Sequence, residues 1–328
     1  MAAMKKILIL RFSAIGDIVL TSPVIRCLKT QTKARVHFAT KKAFSSLAAH
    51  NPYIDQVHVL EESLHSLVAE LQKEQFDLVI DLHNNLRTLR IKRTLGVPAT
   101  SFPKYNFQKW VLVNFKLDFM PKVHIVDRYF QAVADLGVQP DEQGLDFFIP
   151  DSKTISLETL PKPWRDGFYA FVIGGSIEGK MCNAEKIARI CKAVNSPVVL
   201  FGGPEDQAKG DCIVAAAGEL VFNSAGSHSL LGSASLLRHA HLVVTHDTGL
   251  MHIAAAFGKT IISLWGGTVP ALGMTPYKPG PNSQILEVPH LMRPPSKLGK
   301  RRGLYKLWDF MEMIPDQSIV KAIQERLP

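Results

Sequence analysis

Short continuous apolar runs alternate along the chain with stretches of helical spacing, and this alternation sets the expected architecture. Residues 5–11 are rich in Ile and Leu, as a strand buried on both faces of a parallel sheet would be. The turn Phe12-Ser13-Ala14-Ile15-Gly16-Asp17 follows. A helix then has Pro23 in its first turns and apolar residues at Val24, Ile25 and Leu28. Residues 35–39 and 57–60 read as strands, and 43–50 and 64–74 as helices. Residues 76–81 read as a buried strand ending in the polar run Asp81-Leu82-His83-Asn84-Asn85. Strands alternating with helices predict an α/β fold with a parallel sheet.

The rhythm breaks over residues 137–167, where Pro140, Pro150, Pro161 and Pro163 fall among Gly137, Gly144 and Gly167. Such a stretch reads as an inter-domain segment. A second alternation follows, with strands at 168–173, 198–201, 241–245 and 260–265. Its helices lie at 183–194, 231–239, 249–257 and 315–327. Two similar α/β units are expected, residues 1–150 and 151–328, with the last helix packing back on the first. No short-period repeat or low-complexity tract interrupts them.

A length of 328 residues fits two domains, and 46% hydrophobic with 20% charged residues excludes intrinsic disorder. No apolar run approaches the roughly 18 residues that span a bilayer. The longest candidate, 242–265, is interrupted by His246, Asp247, His252 and Lys259. The run at 7–10 is too short for a signal peptide, so the expected protein is neither exported by that route nor integral to a membrane. Cys27, Cys182, Cys191 and Cys212 form no CxxC, and no His pair completes a zinc pattern. Reduced thiols and no metal centre are expected.

Charge adds more. The net charge is +9, and it is uneven. Residues 83–128 carry nine Lys/Arg and two Asp/Glu; residues 290–306 carry six Lys/Arg and no acid. Such patches suit anionic partners: nucleic acid, phosphorylated sugars or an anionic membrane. The chain has no recognised nucleic-acid-binding module, so nucleic acid is not expected.

Ligands of parallel α/β sheets sit beyond the carboxyl ends of the strands. Four such turns carry candidate chemistry. Asp17, after Gly16, is either a helix-capping carboxylate or a general base. Gly174-Gly175-Ser176-Ile177-Glu178-Gly179-Lys180-Met181 fits the spacing GxxxxGK, but Met181 stands where a phosphate-binding P-loop has Ser or Thr. Lys180 remains a compact positive charge for a phosphate. Glu205, after Gly202-Gly203-Pro204, is a hydrogen-bond acceptor for a ribose or base, or a plain surface acid. In Thr245-His246-Asp247-Thr248-Gly249-Leu250-Met251-His252, Asp247 or Thr248 caps a helix, Gly249 permits close backbone approach, and His252 falls one turn in.

Two stretches resemble glycosyltransferase family 9, the ADP-heptose:lipopolysaccharide heptosyltransferases and their relatives. These are residues 8–23, with Gly16-Asp17-Ile18-Val19-Leu20-Thr21-Ser22-Pro23, and residues 243–270, with Asp247-Thr248-Gly249-Leu250-Met251-His252-Ile253-Ala254-Ala255 and then Trp265-Gly266-Gly267-Thr268-Val269-Pro270. The resemblance implies a GT-B fold, two Rossmann-like domains with the active site in a cleft. The acceptor would bind the first domain and the nucleotide-sugar donor the second. It implies inverting transfer without a bound metal or cofactor, the nucleotide sugar being a substrate. Asp17 then matches the catalytic base, Ser176 and Lys180 the donor phosphate contacts, and Glu205 a nucleoside contact. Asp247, Thr248, Gly249 and His252 match the donor-site turn. Ser13, Gly16, His83, Asn85, Arg87 and Arg90 would meet an anionic glycolipid acceptor, with Lys92 and Arg93 in the same basic stretch.

Lys104 and Lys109, beside Phe102, Tyr105, Phe107 and Trp110, would either rest on a membrane surface or pack between domains. The implied location is cytoplasmic, peripheral on the inner membrane. The chain departs from the pattern at Lys180-Met181-Cys182-Asn183, which lacks an Arg and a Pro that many relatives have. Residues 293–299 lack the cysteines that some relatives have there. A different nucleotide sugar, or an inactive sugar-nucleotide-binding relative, is the alternative.

Overall fold

The computed structural model describes residues 5–301 and 303–327. It divides into two compact units: the chain up to Lys104 with Val123–Phe148, and Tyr105–Lys122 with everything from Ile149 onward.

The first unit holds five parallel strands, β1 (Lys6–Leu10), β2 (Arg35–Lys41), β3 (Gln56–Leu60), β4 (Leu78–Asp81) and β5 (Ala99–Ser101). They lie in the order β3-β2-β1-β4-β5. β1 is central, and its Ile7, Leu8, Ile9 and Leu10 are almost wholly buried, which explains its unbroken apolar run. The chain runs from β1 to one side of the sheet and returns to the other at β4. The carboxyl ends of β1 and β4 therefore flank a topological switch point, where open α/β sheets bind ligands.

The second unit holds six: β6 (Tyr169–Val172), β7 (Val198–Phe201), β8 (Val221–Asn223), β9 (Leu242–His246), β10 (Thr260–Trp265) and β11 (Gln284–Glu287). Their order, β11-β10-β9-β6-β7-β8, puts the switch point between β6 and β9. Among the described residues no helix is long and apolar enough to cross a membrane.

Two expectations change. The C-terminal helix, Asp316–Gln324, is part of the second unit. Its Ile319, Ala322 and Ile323 join the second unit's core beside Ile187 and Leu264. Asp316 fixes its start by accepting from Lys186 Nζ at 2.6 Å and Arg189 Nε at 2.7 Å. Tyr105–Lys122, placed in the first domain from its position in the chain, belongs to the second unit. Its Leu112 and Met120 bury themselves against Leu272, a contact 150 or more residues away that no local pattern announces.

Beneath the first sheet, His37 on β2 and His58 on β3 share a proton. His37 Nδ1 lies 2.9 Å from His58 Nε2 with the ring planes 20° from parallel, and His58 Nδ1 bonds Glu70. Both histidines are buried, with Phe76 edge-on. Burial first, then the neighbouring His58, pushes His37 down to about 4 from the usual 6.5. The unfolded chain therefore binds a proton that the folded chain refuses. His37's contribution is whole above about pH 6.5 and is lost as the pH falls towards 4. Thermal unfolding at pH 7.5, 6 and 4.5 should show a falling midpoint, and His37→Gln should flatten that dependence. A dependence unchanged in His37→Gln would place the acid-sensitive groups elsewhere, as at the half-buried His83 and the buried His246.

Candidate functional site

In the first unit, Arg11 directly follows β1, the central strand, and its side chain is buried. Its guanidinium, 7% exposed as a residue, donates to Leu82 O beyond β4 and, at 2.9 Å, to Tyr129 Oη and Ser13 O. Its remaining nitrogen pairs with Asp17 Oδ1 at 2.5 Å. Asp17 Oδ2 accepts from the Ala14 N–H at 3.1 Å, so the capping reading holds in its geometry. Both carboxylate oxygens are thus oriented by fixed donors while the side chain stays 26% exposed.

The β4 turn comes to the same switch point. Buried Asp81 accepts from the His83 and Asn84 amides at 3.0 and 2.6 Å and shapes that turn. His83 sits edge-on to Phe12, and the Arg87 guanidinium lies 5.6 Å from the centre of the same ring. Burial, then Arg11, pushes His83 down to about 4, so at neutral pH it offers a hydrogen bond rather than a charge to an anion. Two expected acceptor contacts have internal duties. Asn85 Oδ1 caps helix Leu86–Leu95 by accepting from Thr88 N. Lys92 pairs with Asp81 at 2.9 Å. Arg90 and Arg93 are exposed.

In the second unit, the β6 and β9 turns meet through one ion pair. Lys180 Nζ donates to Asp247 Oδ2 at 2.7 Å, and the same oxygen accepts from Thr268 Oγ1 at 2.9 Å. Both charged side chains stay partly exposed. Lys180 closes a short 3-10 turn, Glu178–Lys180, and the next helix, Ala184–Val194, starts later with Asn183 as its cap. Lysine and helix N-terminus are thereby separated, and the geometry is not that of a P-loop.

The Lys180 loop is fastened from three sides. His246, at the end of β9, accepts from the Cys182 N–H at 3.1 Å. Burial, and secondarily the charge of Lys209, pushes His246 down to about 3, which keeps its ring neutral and able to accept. Lys209 Nζ donates to the Ile173 and Cys182 carbonyls at 3.0 and 2.7 Å. Gly267 N donates to Gly179 O at 2.9 Å. That approach needs bare glycine: a Cβ on Gly267 would lie 2.4 Å from Gly179 O, and one on Gly179 would lie 2.3 Å from Gly299 O.

The turn after β9 matches its expectation in part. Thr248 occupies the N-cap position of helix Gly249–Ala256, and Gly249 opens the first turn. Ser176 and Glu205 are exposed on the β6 and β7 turns. His252, expected on an open end, is 2% exposed. Its helix is apolar almost all round and buried at Met251, Ile253, Ala254 and Ala255, so the ring lies in packed surroundings.

Several residues that build the two turns carry no local signal. Arg11 reads as the end of a strand. Thr268 follows Gly266-Gly267 and reads as an ordinary turn residue. Arg293, within the basic stretch, is turned inward and donates to the Gly266, Trp265 and Thr268 carbonyls, so it braces the Gly-Gly turn.

Comparison with known proteins bears on the family and the fold. The model of glycosyltransferase family 9 (heptosyltransferase) matches residues 64–291. Lipopolysaccharide heptosyltransferase 1 of Campylobacter coli is 23% identical over 293 residues, 80% of this chain and 84% of that protein. The family 9 glycosyl transferase of Veillonella parvula DSM 2008 superposes with a TM-score of 0.79 at 22% identity, covering 99% of this chain and 98% of that one. The structure of Escherichia coli heptosyltransferase WaaC with ADP-2-deoxy-2-fluoro heptose superposes with a TM-score of 0.70 at 18% identity, covering 98% and 100%.

Proposed function

Because the chain belongs to glycosyltransferase family 9 and is a glycosyltransferase of the GT-B fold, we propose that it transfers heptose, with inversion, from ADP-heptose to a phosphorylated sugar of a lipopolysaccharide core. The observation that carries this reading is the Lys180–Asp247–Thr268 cluster at the second unit's switch point. Glycosyl transfer releases a nucleoside diphosphate, and the leaving group needs positive charge where its own charge grows. Lys180 supplies a cation on a fastened loop. The N–H groups opening helix Gly249–Ala256 supply partial positive charge a few residues from Asp247. In this reading transfer needs no cofactor and persists in EDTA.

Ser176 then contacts the donor phosphates, Glu205 the nucleoside, and Asp247, Thr248, Gly249 and His252 shape the donor turn. The adenine nucleotide is supported by the E. coli enzyme crystallised with an ADP-heptose analogue. In the first unit Asp17 takes the acceptor hydroxyl's proton, its lone pairs aimed by Arg11 and the Ala14 amide. Ser13, Gly16, His83, Asn85, Arg87 and Arg90 line the acceptor's approach. The protein works on the cytoplasmic face of the membrane that carries its acceptor.

A thermal-shift panel of nucleotide sugars tests the donor. ADP-heptose at 100 times its Kd should stabilise the native state by about 2.7 kcal/mol, and ADP alone should retain much of that shift. A shift given only by uridine or guanosine diphosphate sugars would assign another donor. Stabilisation by ADP-heptose without turnover on any core acceptor would make the chain an inactive relative.

A further inference from the structure

Apart from the two switch points, the second unit exposes a concentration of apolar side chains. Helix Asn106–Phe115 buries only Val111 and Leu112. Its Phe107, Trp110 and Phe115 are 71%, 53% and 60% exposed. They touch one another: the Phe107 and Trp110 rings stack with centroids 6.2 Å apart, and Phe115 meets Trp110 edge-on at 5.3 Å. Leu117 and Phe119 continue the exposed run past the helix. Scattered surface hydrophobics need no explanation, but a contiguous aromatic cluster does.

A second exposed segment joins it. Lys116 Nζ donates to Pro294 O at 2.7 Å and lies 4.9 Å from the centre of the Tyr305 ring. This ties the aromatic helix to residues 294–307, where Leu298, Leu304 and Leu307 are exposed. Exposed Lys297, Lys300 and Lys306 lie among those leucines, and residues 290–306 contain no acid. Arg293 is turned inward and Arg301 is paired with Glu178 and Asp309, so lysines carry the outward charge among the described residues; Arg302 lies outside them.

We propose that this face of the second unit docks on an anionic lipid bilayer, the aromatic and leucine side chains entering the headgroup boundary and the lysines meeting lipid phosphates. The composition selects a membrane over a protein partner. Protein interfaces are depleted in lysine, whereas lysines beside Trp, Phe and Leu are the make-up of interfacial membrane binding. Each lysine near an anionic surface adds attraction that falls off within a Debye length. The inference rests on the glycolipid reading above only in explaining why a membrane would be at hand.

Co-sedimentation with vesicles of phosphatidylglycerol and phosphatidylethanolamine, holding no sugar acceptor, tests it. The wild-type chain should bind these vesicles, bind phosphatidylcholine vesicles weakly, and lose affinity at high salt. The triple variant Phe107→Ala, Trp110→Ala, Phe115→Ala should lower partitioning about tenfold or more. Reversing charge with Lys297→Glu, Lys300→Glu and Lys306→Glu should do the same. Both variants should keep the wild-type melting temperature and the wild-type shift with nucleotide sugar. No binding by the wild type, or binding indifferent to both variants, would overturn the proposal. A wild-type dimer that the aromatic variant converts to a monomer in sedimentation would also overturn it, reassigning the face to a second copy. The vesicles carry no acceptor and the nucleotide shift is read separately, so docking and donor assignment can fail independently.

Discussion

Asp17→Asn is expected to remove transfer, by roughly 10²–10⁴-fold, because the amide takes the carboxylate's place but cannot accept the acceptor's proton. The surrounding donors sharpen the expectation. Arg11 and the Ala14 N–H each present a hydrogen to one carboxylate oxygen. Asparagine has a single oxygen, so its NH₂ must face either Arg11 or the Ala14 amide, donor against donor. A local stability loss of about 1 kcal/mol should therefore accompany the catalytic loss. Donor binding, in the other unit, should be untouched. The decisive measurement is initial rate at saturating donor, with the nucleotide-induced thermal shift as the control. More than a tenth of the wild-type rate would remove Asp17 from the role of base and leave it a cap.

Lys180→Ala is expected to weaken binding of the donor and of its free nucleoside diphosphate alike, by roughly ten- to a hundredfold, the worth of a charge-assisted hydrogen bond. The structure places the result near the upper end. Removing the ammonium leaves Asp247, partly buried and held otherwise by Thr268, facing the anion without its cation. The double variant Lys180→Ala, Asp247→Asn should recover part of the loss by removing that repulsion. Titration calorimetry with the diphosphate reads both. An unchanged diphosphate affinity in Lys180→Ala would mean that the lysine serves the loop and not the ligand.

The amino-acid pattern reveals what is local. β1 and β9 are visible because a central parallel strand must be apolar on both faces. The turns holding Asp17, Lys180 and Asp247 are visible because Gly and polar residues follow those runs directly. Contacts that close over long sequence distances are hidden. Arg11 meets Leu82 and Tyr129 from 71 and 118 residues away, and nothing in residues 5–11 signals a guanidinium turned inward. The helix Asn106–Phe115 has the composition of either domain, and its distant contacts with Leu272 and, through Lys116, with Pro294 decide its allegiance. His252 misleads for the opposite reason. Its spacing from Gly249 is right for a shared face, but the helix is buried nearly all round, so the shared face is not an open one.

The glycine contacts around the Lys180 loop have a consequence for redesign. Gly179 and Gly267 hold their backbones at distances that no side chain fits, and Gly299 packs tightly on Gly267 with a φ of +78° that side chains rarely adopt. A library meant to change the sugar accepted should keep those three fixed, since alanine at any of them would wedge the loops apart and scatter the lysine. Diversity belongs at Ser176, Met181 and Glu205, whose side chains are at least partly exposed. Met181 packs against Gly175 and is the natural first position to vary. Reshaping it changes the wall of the turn while the backbone beneath stays locked.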